Sequence, residues 1–448
     1  MELQKIAKQL GYTLPYNAQI DSFSIDSRTL PANALFVAFR GAHVDGHDYI
    51  DAAIRAGARA IICEKKPSNS MSVPHFVVDD CQKALAQLAI WHRQSVHCPV
   101  IALTGSNGKT TVKEMIAGML LPPSLATQGN LNNHLGVPLN VLKLNQAHRY
   151  AVFELGASAI GDIAYTAAMV QPDVSLINNI APAHIAKFGS LTNIAQAKGE
   201  IYAALKPQGM AIVNQDDDFC DFWQATLATK QVMTFGIKHT ADITAEHIEF
   251  NAQGCVRFKL ITPLGAAWVN LQVAGLHSVY NALAAAACGV AVHLPLAHIA
   301  QSLSEFKGVQ GRMMFYQGRK NTCIIDDTYN ANLRSVLAGI DVLAQRSGQR
   351  ILVLGDLGEL GDWTKAHHEQ IGLYAKQKGL DKLITYGSHS AYSSDAFGVE
   401  GYHYASQDTL IAALEQELSQ ATTLLVKGSR SAAMEKIIAP LINDQPKI

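Results

Sequence analysis

The chain has 448 residues, of which 48% are hydrophobic and 16% are charged, a balance typical of a folded enzyme. A chain of this length holds about two to four domains. The formal net charge of −1 gives no basic surplus, so we predict no nucleic-acid partner. The seven cysteines are dispersed, with no Cys-x-x-Cys pair, which indicates reduced thiols and a cytoplasmic location.

Residues 1–98 are predicted to form a first domain of mixed α/β character. Apolar runs such as 34–39 and 60–63 predict strands, and longer amphipathic stretches such as 82–94 predict helices between them. The N-terminus is typical of a short amphipathic helix and not of a signal peptide. The longest apolar stretch of the chain, 282–292, is too short to cross a membrane, so we expect no membrane insertion.

A glycine-rich run opens the second domain, directly after an apolar strand pattern and before a helical one. The run is Thr104–Thr111, in the order Thr-Gly-Ser-Asn-Gly-Lys-Thr-Thr. Gly105 and Gly108 allow backbone amides to turn inward toward a phosphate. Lys109 supplies a cation for the β- and γ-phosphates, and Thr110 supplies a hydroxyl for Mg²⁺. The pattern therefore predicts a nucleoside triphosphate site; the alternative is an ordinary strand-to-helix turn.

The second domain is expected to cover residues 99–312 and to contain a P-loop ATPase-like parallel sheet. Strand and helix patterns alternate after the phosphate loop, and residues 242–273 change to the pattern of an antiparallel flank. Residues 313–448 contain short buried-strand patterns separated by helices, which predict a Rossmann-like third domain. No Gly-x-Gly-x-x-Gly run follows the first of these strands, so we predict no dinucleotide site there.

Three side chains of the second domain are candidates for metal binding. Glu154 ends a strand pattern one strand from the phosphate loop, where a carboxylate suits Mg²⁺; a helix cap or surface acid is the alternative. His184 lies beyond another strand end and is either a structural histidine or a metal or phosphate ligand. For Lys198, the residues alone favour a solvated pair with Glu200. The second hypothesis is that Lys198 is buried and carbamylated, and holds a second Mg²⁺.

Polar residues also surround the start of the third domain. Arg312 can bind a phosphate through its planar guanidinium. Asp327, at a predicted strand end, can accept hydrogen bonds from ribose hydroxyls. The string 328–332 is rich in hydrogen-bonding side chains, which favours a substrate or nucleotide loop over a plain turn.

In this order, these features resemble the Mur ligases, ATP-dependent amide-forming enzymes of peptidoglycan precursor synthesis. The resemblance covers essentially the whole chain. Further matching strings are Ile25–Arg28, Leu35–Gly41, Asp45–Asp48, Gly129–Asn133, Gly136–Leu139, Asp326–Asn332, Leu354–Gly361 and Lys427–Arg430. Two positions depart from the family pattern, since Ser278 replaces the usual asparagine and Leu333 the usual proline, and neither carries a proposed chemical role.

The resemblance implies a ligase that joins D-alanyl-D-alanine to UDP-N-acetylmuramoyl-tripeptide, with ATP, two Mg²⁺ ions and a CO₂-derived carbamate on Lys198. It implies a monomer whose three domains bind the UDP-sugar, ATP and the dipeptide in chain order. The implied catalytic residues are Lys109, Glu154, His184, Lys198 and Arg312, and the implied metal ligands are Thr110, Glu154, His184 and Lys198. The implied ATP contacts are Gly105, Ser106, Asn107, Gly108, Lys109, Thr110, Thr111, Asn281, Arg312 and Asp327. The implied substrate contacts are Ile25, Ser27, Ala42, His43, Val44, Asn130, Asn132, Asn133, Tyr329, Asn330 and Asn332.

Other functions stay open at this point. A sibling ligase adds the third residue of the peptide, but that member commonly has an Asp-Asn-Pro-Arg string that this chain lacks. Folylpolyglutamate synthase shares the core but has no domain like residues 1–98. A nucleotide-binding regulator without ligase activity is the third alternative. Glu154, His184 and Lys198 argue against it, because nucleotide sensing needs no two-metal arrangement.

Overall fold

In the computed structural model, which describes residues 1–41, 44–66 and 72–446, the first domain is built on a four-stranded parallel sheet. Its strands, in spatial order, are β1 (Ser22–Ser24), β2 (Ala34–Val37), β3 (Ala60–Cys63) and β4 (His75–Val77). Its helices are α1 (Leu3–Gln9), α2 (Ile50–Arg55) and α3 (Cys81–Gln94). Strands β2 and β3 are buried along their whole length, which explains their unbroken apolar sequences.

Helix α3 anchors the first domain to the second. It begins after Asp80, whose carboxylate accepts a hydrogen bond from the amide of Lys83 at 2.9 Å. Near its end the buried Arg93 reaches into the next domain, where its Nε donates to the carbonyl of Val170 at 2.8 Å. The same guanidinium lies 3.4 Å from the carboxylate of Asp173. The contact between the two domains therefore contains a buried cation.

The second domain contains the predicted parallel sheet, which has six strands in the order β10-β9-β8-β5-β7-β6. Its strands are β5 (Val100–Thr104), β6 (Ser124–Ala126), β7 (Tyr150–Glu154), β8 (Val174–Ile177), β9 (Met210–Asn214) and β10 (Gln231–Phe235). Its first helices are α4 (Lys109–Met119), α5 (Gly136–Val141), α6 (Asp162–Val170), α7 (Ile185–Phe188), α8 (Leu191–Ala203) and α9 (Gln224–Leu227). The chain runs from β5 to β6 and β7 on one side and to β8 on the other. The carboxyl end of β5 is therefore the switch point at which α/β sheets bind ligands.

The predicted antiparallel flank is also present. It consists of β11 (Thr244–Phe250), β12 (Cys255–Thr262) and β13 (Gly265–Ala274), followed by α10 (Leu276–Ala291) and α11 (Leu296–Glu305). Helix α10 packs its alanine-rich sequence between the sheets, so that residues 282–288 are all fully buried. No helix of the described part of the chain is long and apolar enough to cross a membrane.

The third domain has a seven-stranded sheet in the order β18-β17-β16-β19-β15-β14-β20. Its strands are β14 (Met314–Gly318), β15 (Cys323–Asp327), β16 (Gln349–Gly355), β17 (Lys382–Tyr386), β18 (Gly401–Tyr404), β19 (Thr422–Lys427) and β20 (Ile442–Pro446). Its helices are α12 (Leu333–Ala344), α13 (Thr364–Gln377), α14 (Ala391–Phe397), α15 (Gln407–Glu417) and α16 (Glu435–Ile438). Strand β14 is antiparallel to both of its neighbours, β15 and β20, so β14 alone runs against the other six strands. The sequence did not predict β14 or β18, because their side chains are largely half-exposed or exposed and form no unbroken apolar run.

A strained link joins the second and third domains. Gly311 has a φ of 71° and Met313 a φ of 54°, so two left-handed residues flank Arg312. A Cβ atom on Gly311 would lie 3.2 Å from the Cβ of Tyr329, and the amide of Tyr329 donates to the Gly311 carbonyl at 3.1 Å. The link is therefore held against the loop that follows β15.

Candidate active site

The phosphate loop adopts the predicted strand–loop–helix arrangement between β5 and α4. Gly108, with a φ of 77°, is the residue before the helix, and a Cβ there would collide with the side chains of Asn281 and Asn178. Only glycine fits this position. The Lys109 ammonium donates to the carbonyl of Gly105 at 2.7 Å, which curls the loop around the lysine. Burial lowers the pKa of Lys109 from its ordinary value, partly offset by Glu154.

Two asparagines that the sequence did not single out brace this loop. Asn179 accepts a hydrogen bond from the amide of Asn107 at 2.9 Å, and Asn178 donates to the Asn107 carbonyl at 2.9 Å. The Ser106 hydroxyl exchanges two bonds of 2.8 Å with the backbone of Ala181. An Asn-Asn pair directly after a buried strand that neighbours the phosphate strand was the available signal. The loop is thus fixed by the end of β8.

Glu154 lies at the carboxyl end of β7 and is 2% exposed. Its Oε1 accepts from the amide group of Asn132 at 2.8 Å, and its backbone N–H donates to the hydroxyl of Thr127 at 2.9 Å. Its Oε2 is buried without a hydrogen-bond partner among the described residues. Thr110 lines the same cavity. A buried oxygen that lacks a donor beside a phosphate loop fits a hard cation such as Mg²⁺.

His184 and Lys198 lie on the other side of this cavity. His184 has a left-handed backbone with a φ of 56°, and its Nδ1 contacts the carboxylate of Glu359 in the third domain. Burial lowers the pKa of His184, which favours the neutral imidazole that metals bind. Lys198, on α8, is 3% exposed and makes no ion pair within the described part of the chain. Burial lowers its pKa well below the ordinary value, so the solvated pair with Glu200 is wrong.

The carboxylate of Glu200 is used elsewhere. It accepts hydrogen bonds from the amides of Gly161 and Ala164, at 2.7 and 2.8 Å, and so binds the first turn of α6. In the residues that the structure describes, no three His, Cys, Asp or Glu side chains form a ready metal cluster. A Mg²⁺ ion at Glu154 would therefore need phosphate or substrate oxygens to complete its coordination, as is usual for this ion.

A cavity of about 260 Å³ adjoins the phosphate loop on the side of α10. Asn281 and Asp327 both line it, as does Arg312, whose guanidinium lies 4.1 Å from the ring centre of Tyr329. The ammonium of the buried Lys427 contacts Asp327 at 2.5 Å, and Asp327 is thereby held in place. Residues that the sequence missed also line this cavity, namely Asp216, Lys238, His277, Tyr280, Arg334 and Lys427.

A larger cavity of about 800 Å³ lies between the second and third domains. The carboxyl ends of β5, β7 and β8 face those of β15, β16 and β19 across it. From the second domain it is lined by the predicted residues Gly105, Ser106, Asn107, Gly108, Lys109, Thr110, Asn130, Asn132, Asn133, Glu154, His184, Lys198 and Arg312. From the third domain it is lined by Tyr329, Asn330 and Asn332, and by Gly358, Glu359, Ser429, Arg430 and Ser431, which the sequence did not predict as site residues.

The remaining predicted residues lie apart from this cavity. Thr111 lines the smaller cavity. Ile25, Ser27 and Val44 belong to the first domain and line neither cavity. Val44 is 54% exposed, as a surface that receives a ligand can be. Ala42 and His43 lie outside the described residues.

Hydrogen bonds also join the facing edges near the phosphate loop. Asn332 donates to the side chain of Asn107 in the phosphate loop at 2.6 Å, and Arg334 donates to the carbonyl of Ile180 at 2.9 Å. A triphosphate in the loop would therefore have its terminal phosphate in a cavity that both domains close. Such an arrangement suits the transfer of a phosphoryl group to a second substrate.

Comparison with known proteins agrees with this geometry. The Mur ligase family catalytic domain matches residues 19–93, the Mur ligase middle domain 103–289, and the Mur ligase glutamate ligase domain 311–430. The UDP-N-acetylmuramoyl-tripeptide–D-alanyl-D-alanine ligase of Escherichia coli (strain K12) is 42% identical, over 94% of each chain.

Solved structures agree as well. A crystal structure of MurF from Acinetobacter baumannii has a TM-score of 0.89 and 36% identity, and covers 97% of each chain. MurF ligase from Thermotoga maritima, in complex with ADP, has a TM-score of 0.84 and 27% identity, over 94% of this chain and 97% of that one.

The fold and site define an ATP-dependent ligase of three α/β domains. The chain belongs to the Mur ligase family.

Proposed function

We propose that the chain joins D-alanyl-D-alanine to UDP-N-acetylmuramoyl-tripeptide, with ATP as the source of energy. The observation that carries the proposal is the cavity of about 800 Å³, in which the phosphate loop faces the polar loops of the third domain. The identity of 42% to a ligase with this printed activity supports the choice of substrates.

The reaction has to activate a carboxylate, because a carboxylate and an amine do not condense in water. The terminal carboxylate of the tripeptide attacks the γ-phosphate, giving an acyl phosphate and ADP. Lys109 and Arg312 offset the charge of the transferring phosphoryl group. The amine of the dipeptide then attacks the acyl carbon, and the tetrahedral intermediate collapses to an amide and phosphate. The closed edges of the two domains exclude water from the acyl phosphate.

Mg²⁺ would be held by Thr110 and Glu154, and a second ion by His184 and a carbamate on Lys198. When bound, the ions supply positive charge that polarises phosphoryl oxygens. Lys198 has the environment that a carbamate needs, since its amine is buried, faces the cavity and has a lowered pKa. Its neutral amine adds CO₂, with a new N–C bond and the release of one proton. Asn132 fixes the carboxylate of Glu154 by the hydrogen bond of 2.8 Å.

Each of three segments of the chain is assigned one ligand. We assign the UDP-sugar to residues 1–98, with Ile25, Ser27 and the segment 42–44 near the nucleotide. Residues 99–312 bind ATP, and Asn130, Asn132 and Asn133 lie along the path of the muramoyl peptide. Residues 313–448 bind the dipeptide. The enzyme acts in the cytoplasm as a monomer.

Phosphate release measures the proposal directly. The assay contains ATP, UDP-N-acetylmuramoyl-tripeptide and D-alanyl-D-alanine, with each omitted in turn. We expect release only in the complete mixture. Release with a single amino acid and a dipeptide precursor would identify the sibling ligase, and ATP binding without any release would identify a regulator.

A further inference from the structure

The segment Ser429–Ser431 forms part of the wall of the larger cavity, directly after β19. Strand β19 lies between β15 and β16 in the sheet, so this segment is flanked by the loops that carry Asn330 and Gly358. It faces the side of the cavity that contains Lys109 and Lys198. The proposed function leaves this segment without a role.

The backbone of the segment Ser429–Ser431 is fixed by hydrogen bonds to a neighbouring loop. The amide and the hydroxyl of Ser429 both donate to the carbonyl of Asp356, at 2.9 and 2.6 Å. The carboxylate of Asp356 in turn accepts bonds from the amides of residues 388–390, at 2.8 to 2.9 Å. The ends of β16, β17 and β19 are thus tied together, so Arg430 extends from a rigid support.

Two charged side chains line the cavity from the third domain, within the described residues: Glu359 and Arg430. Glu359 is engaged by His184 and, at 2.8 Å, by Lys187 of the second domain. Arg430 uses only Nη1, in a bond of 3.0 Å to Glu435. That pair is well exposed, with 65% and 40% of the side chains accessible, and such pairs contribute little. The guanidinium therefore keeps donors for a ligand.

The second substrate, D-alanyl-D-alanine, has one anionic group, its terminal carboxylate, that the enzyme has to recognise. Its amine must reach the acyl carbon near Lys109, so its carboxylate points toward the third domain. An extended dipeptide spans roughly 7 Å, so its carboxylate lies well away from the acyl carbon, and Arg430 is the cation that the third domain contributes to the lining of the cavity. A carboxylate that leaves water needs a paired cation, and a guanidinium offers two parallel donors in the matching geometry.

We propose that Arg430 binds the terminal carboxylate of the incoming dipeptide. This assignment rests on the proposed function and adds to it the residue that recognises the free acid. Arg430 exchanges its exposed partner Glu435 for the substrate.

The test compares D-alanyl-D-alanine with its C-terminal amide, which keeps the amine and lacks the anion. The readout is the ratio of kcat/KM for the acid to that for the amide, measured by phosphate release. Wild type should favour the acid. In R430Q the ratio should fall by at least about tenfold, as expected for the loss of a charged hydrogen bond, with an unchanged KM for ATP. R430K, which keeps the charge but lacks the fork, should lie between the two.

The matched control is E435Q, which removes the exposed partner of Arg430 and should keep the wild-type ratio. A wild-type ratio of kcat/KM for the acid to that for the amide in R430Q would overturn the assignment. If the KM for ATP rose at the same time, Arg430 would be a phosphate ligand instead. If the wild-type enzyme turned over neither the acid nor the amide, the proposed function itself would fail. Because each ratio is internal to one protein, a partly unfolded variant does not obscure it.

Discussion

Lys198 is a buried amine without an acidic partner among the described residues, and this is the feature of the site that ordinary stability does not explain. A carbamate would turn the buried group into an anion next to His184. An unmodified lysine would leave the second metal position without a negative ligand. Whether Lys198 is carbamylated therefore decides whether the cavity contains a negative ligand at this position.

Replacement of Lys198 by alanine should lower kcat by roughly a hundredfold to a thousandfold, because an electrostatic contact to the transferring group is lost. Short carboxylates such as acetate or formate should restore part of the activity by supplying the missing anion. Steady-state phosphate release with and without the added acid measures this. K109A is the matched control: it removes a cation from the same cavity, so carboxylates should not rescue it. Full wild-type activity after exhaustive removal of CO₂ would rule out the carbamate.

Asp216 shows how a carboxylate can hold the rim of the smaller cavity. Its oxygens accept from the amides of Ile237, Lys238 and His239, at 2.6, 2.8 and 2.9 Å, and from the hydroxyl of Tyr280 at 2.7 Å. Burial alone would raise the pKa of Asp216, but these hydrogen bonds outweigh it and lower the pKa to about 2. The folded state thus binds the proton less tightly than the unfolded state does.

Because the pKa falls on folding, the stabilisation is present above about pH 4 and is lost as the pH falls toward 2. D216N should therefore lower the free energy of unfolding by roughly 2 kcal/mol at pH 7. The difference from wild type should shrink between pH 4 and pH 2. Urea unfolding at several pH values measures it, with the exposed neighbour in D218N as a control. A constant difference down to pH 2 would contradict the titration of Asp216.

At the scale of the elements, the first domain depends on the end of α3. Arg93 is 3% exposed and donates to the carbonyls of Val170 and Val96, at 2.8 and 2.6 Å, besides its contact with Asp173. The bond to Val170 and the contact with Asp173 join α3 to the end of α6 and the loop that follows it, whereas the bond to Val96 stays within the first domain. A buried guanidinium that the sequence did not single out therefore contributes to the docking of the first domain onto the second.

Replacement of Arg93 by methionine should lower the free energy of unfolding by about 3 kcal/mol, because the carbonyls of Val96 and Val170 lose their donor. Chemical unfolding measures the loss, and hydrogen exchange should show the first domain opening before the other two. R55M, at an exposed position on α2, should change stability little. Equal losses in both variants would mean that the buried contact carries no particular weight.

The elements also show what sequence patterns can and cannot predict. The order of strands and helices around the phosphate loop follows from apolar runs and turn residues, and the antiparallel flank follows from its alternating pattern. The strands β14 and β18 were missed, since half-exposed edge strands lack that pattern. Arg430 and Glu359 were not predicted as site residues either. Charged residues in loops carry no periodicity, and only the facing of two sheets brings them to one cavity.

At the scale of the whole molecule, the short link at Gly311 joins the second and third domains. G311A should lower the free energy of unfolding by about 1 kcal/mol for the left-handed backbone, and it should also push against Tyr329 across the gap of 3.2 Å. G379A is a close control, since Gly379 has a φ of 70° and no atom near its missing Cβ. Both variants should lose the stability that the left-handed backbone costs, and G311A should lose somewhat more because of the contact with Tyr329.

The two variants should differ in catalysis. In G311A the guanidinium of Arg312 shifts with the link, so we expect kcat to fall about tenfold or more, as small misplacements in active sites do. G379A should keep wild-type kcat. Phosphate release under saturating substrates measures both. Matching kcat values in the two variants would show that the contact with Tyr329 does not set the position of Arg312.

Arg312 lies between two left-handed residues, and this position affects when ATP can be hydrolysed. The guanidinium of Arg312 lies against the ring of Tyr329 in the third domain, and the loop that carries Tyr329 also bonds to the phosphate loop through Asn332. If the third domain moved away from the phosphate loop, Tyr329 would leave the guanidinium and Arg312 would lose this support. We therefore expect no ATP hydrolysis while the domains are open, so that ATP is consumed only when the substrates to be joined are bound.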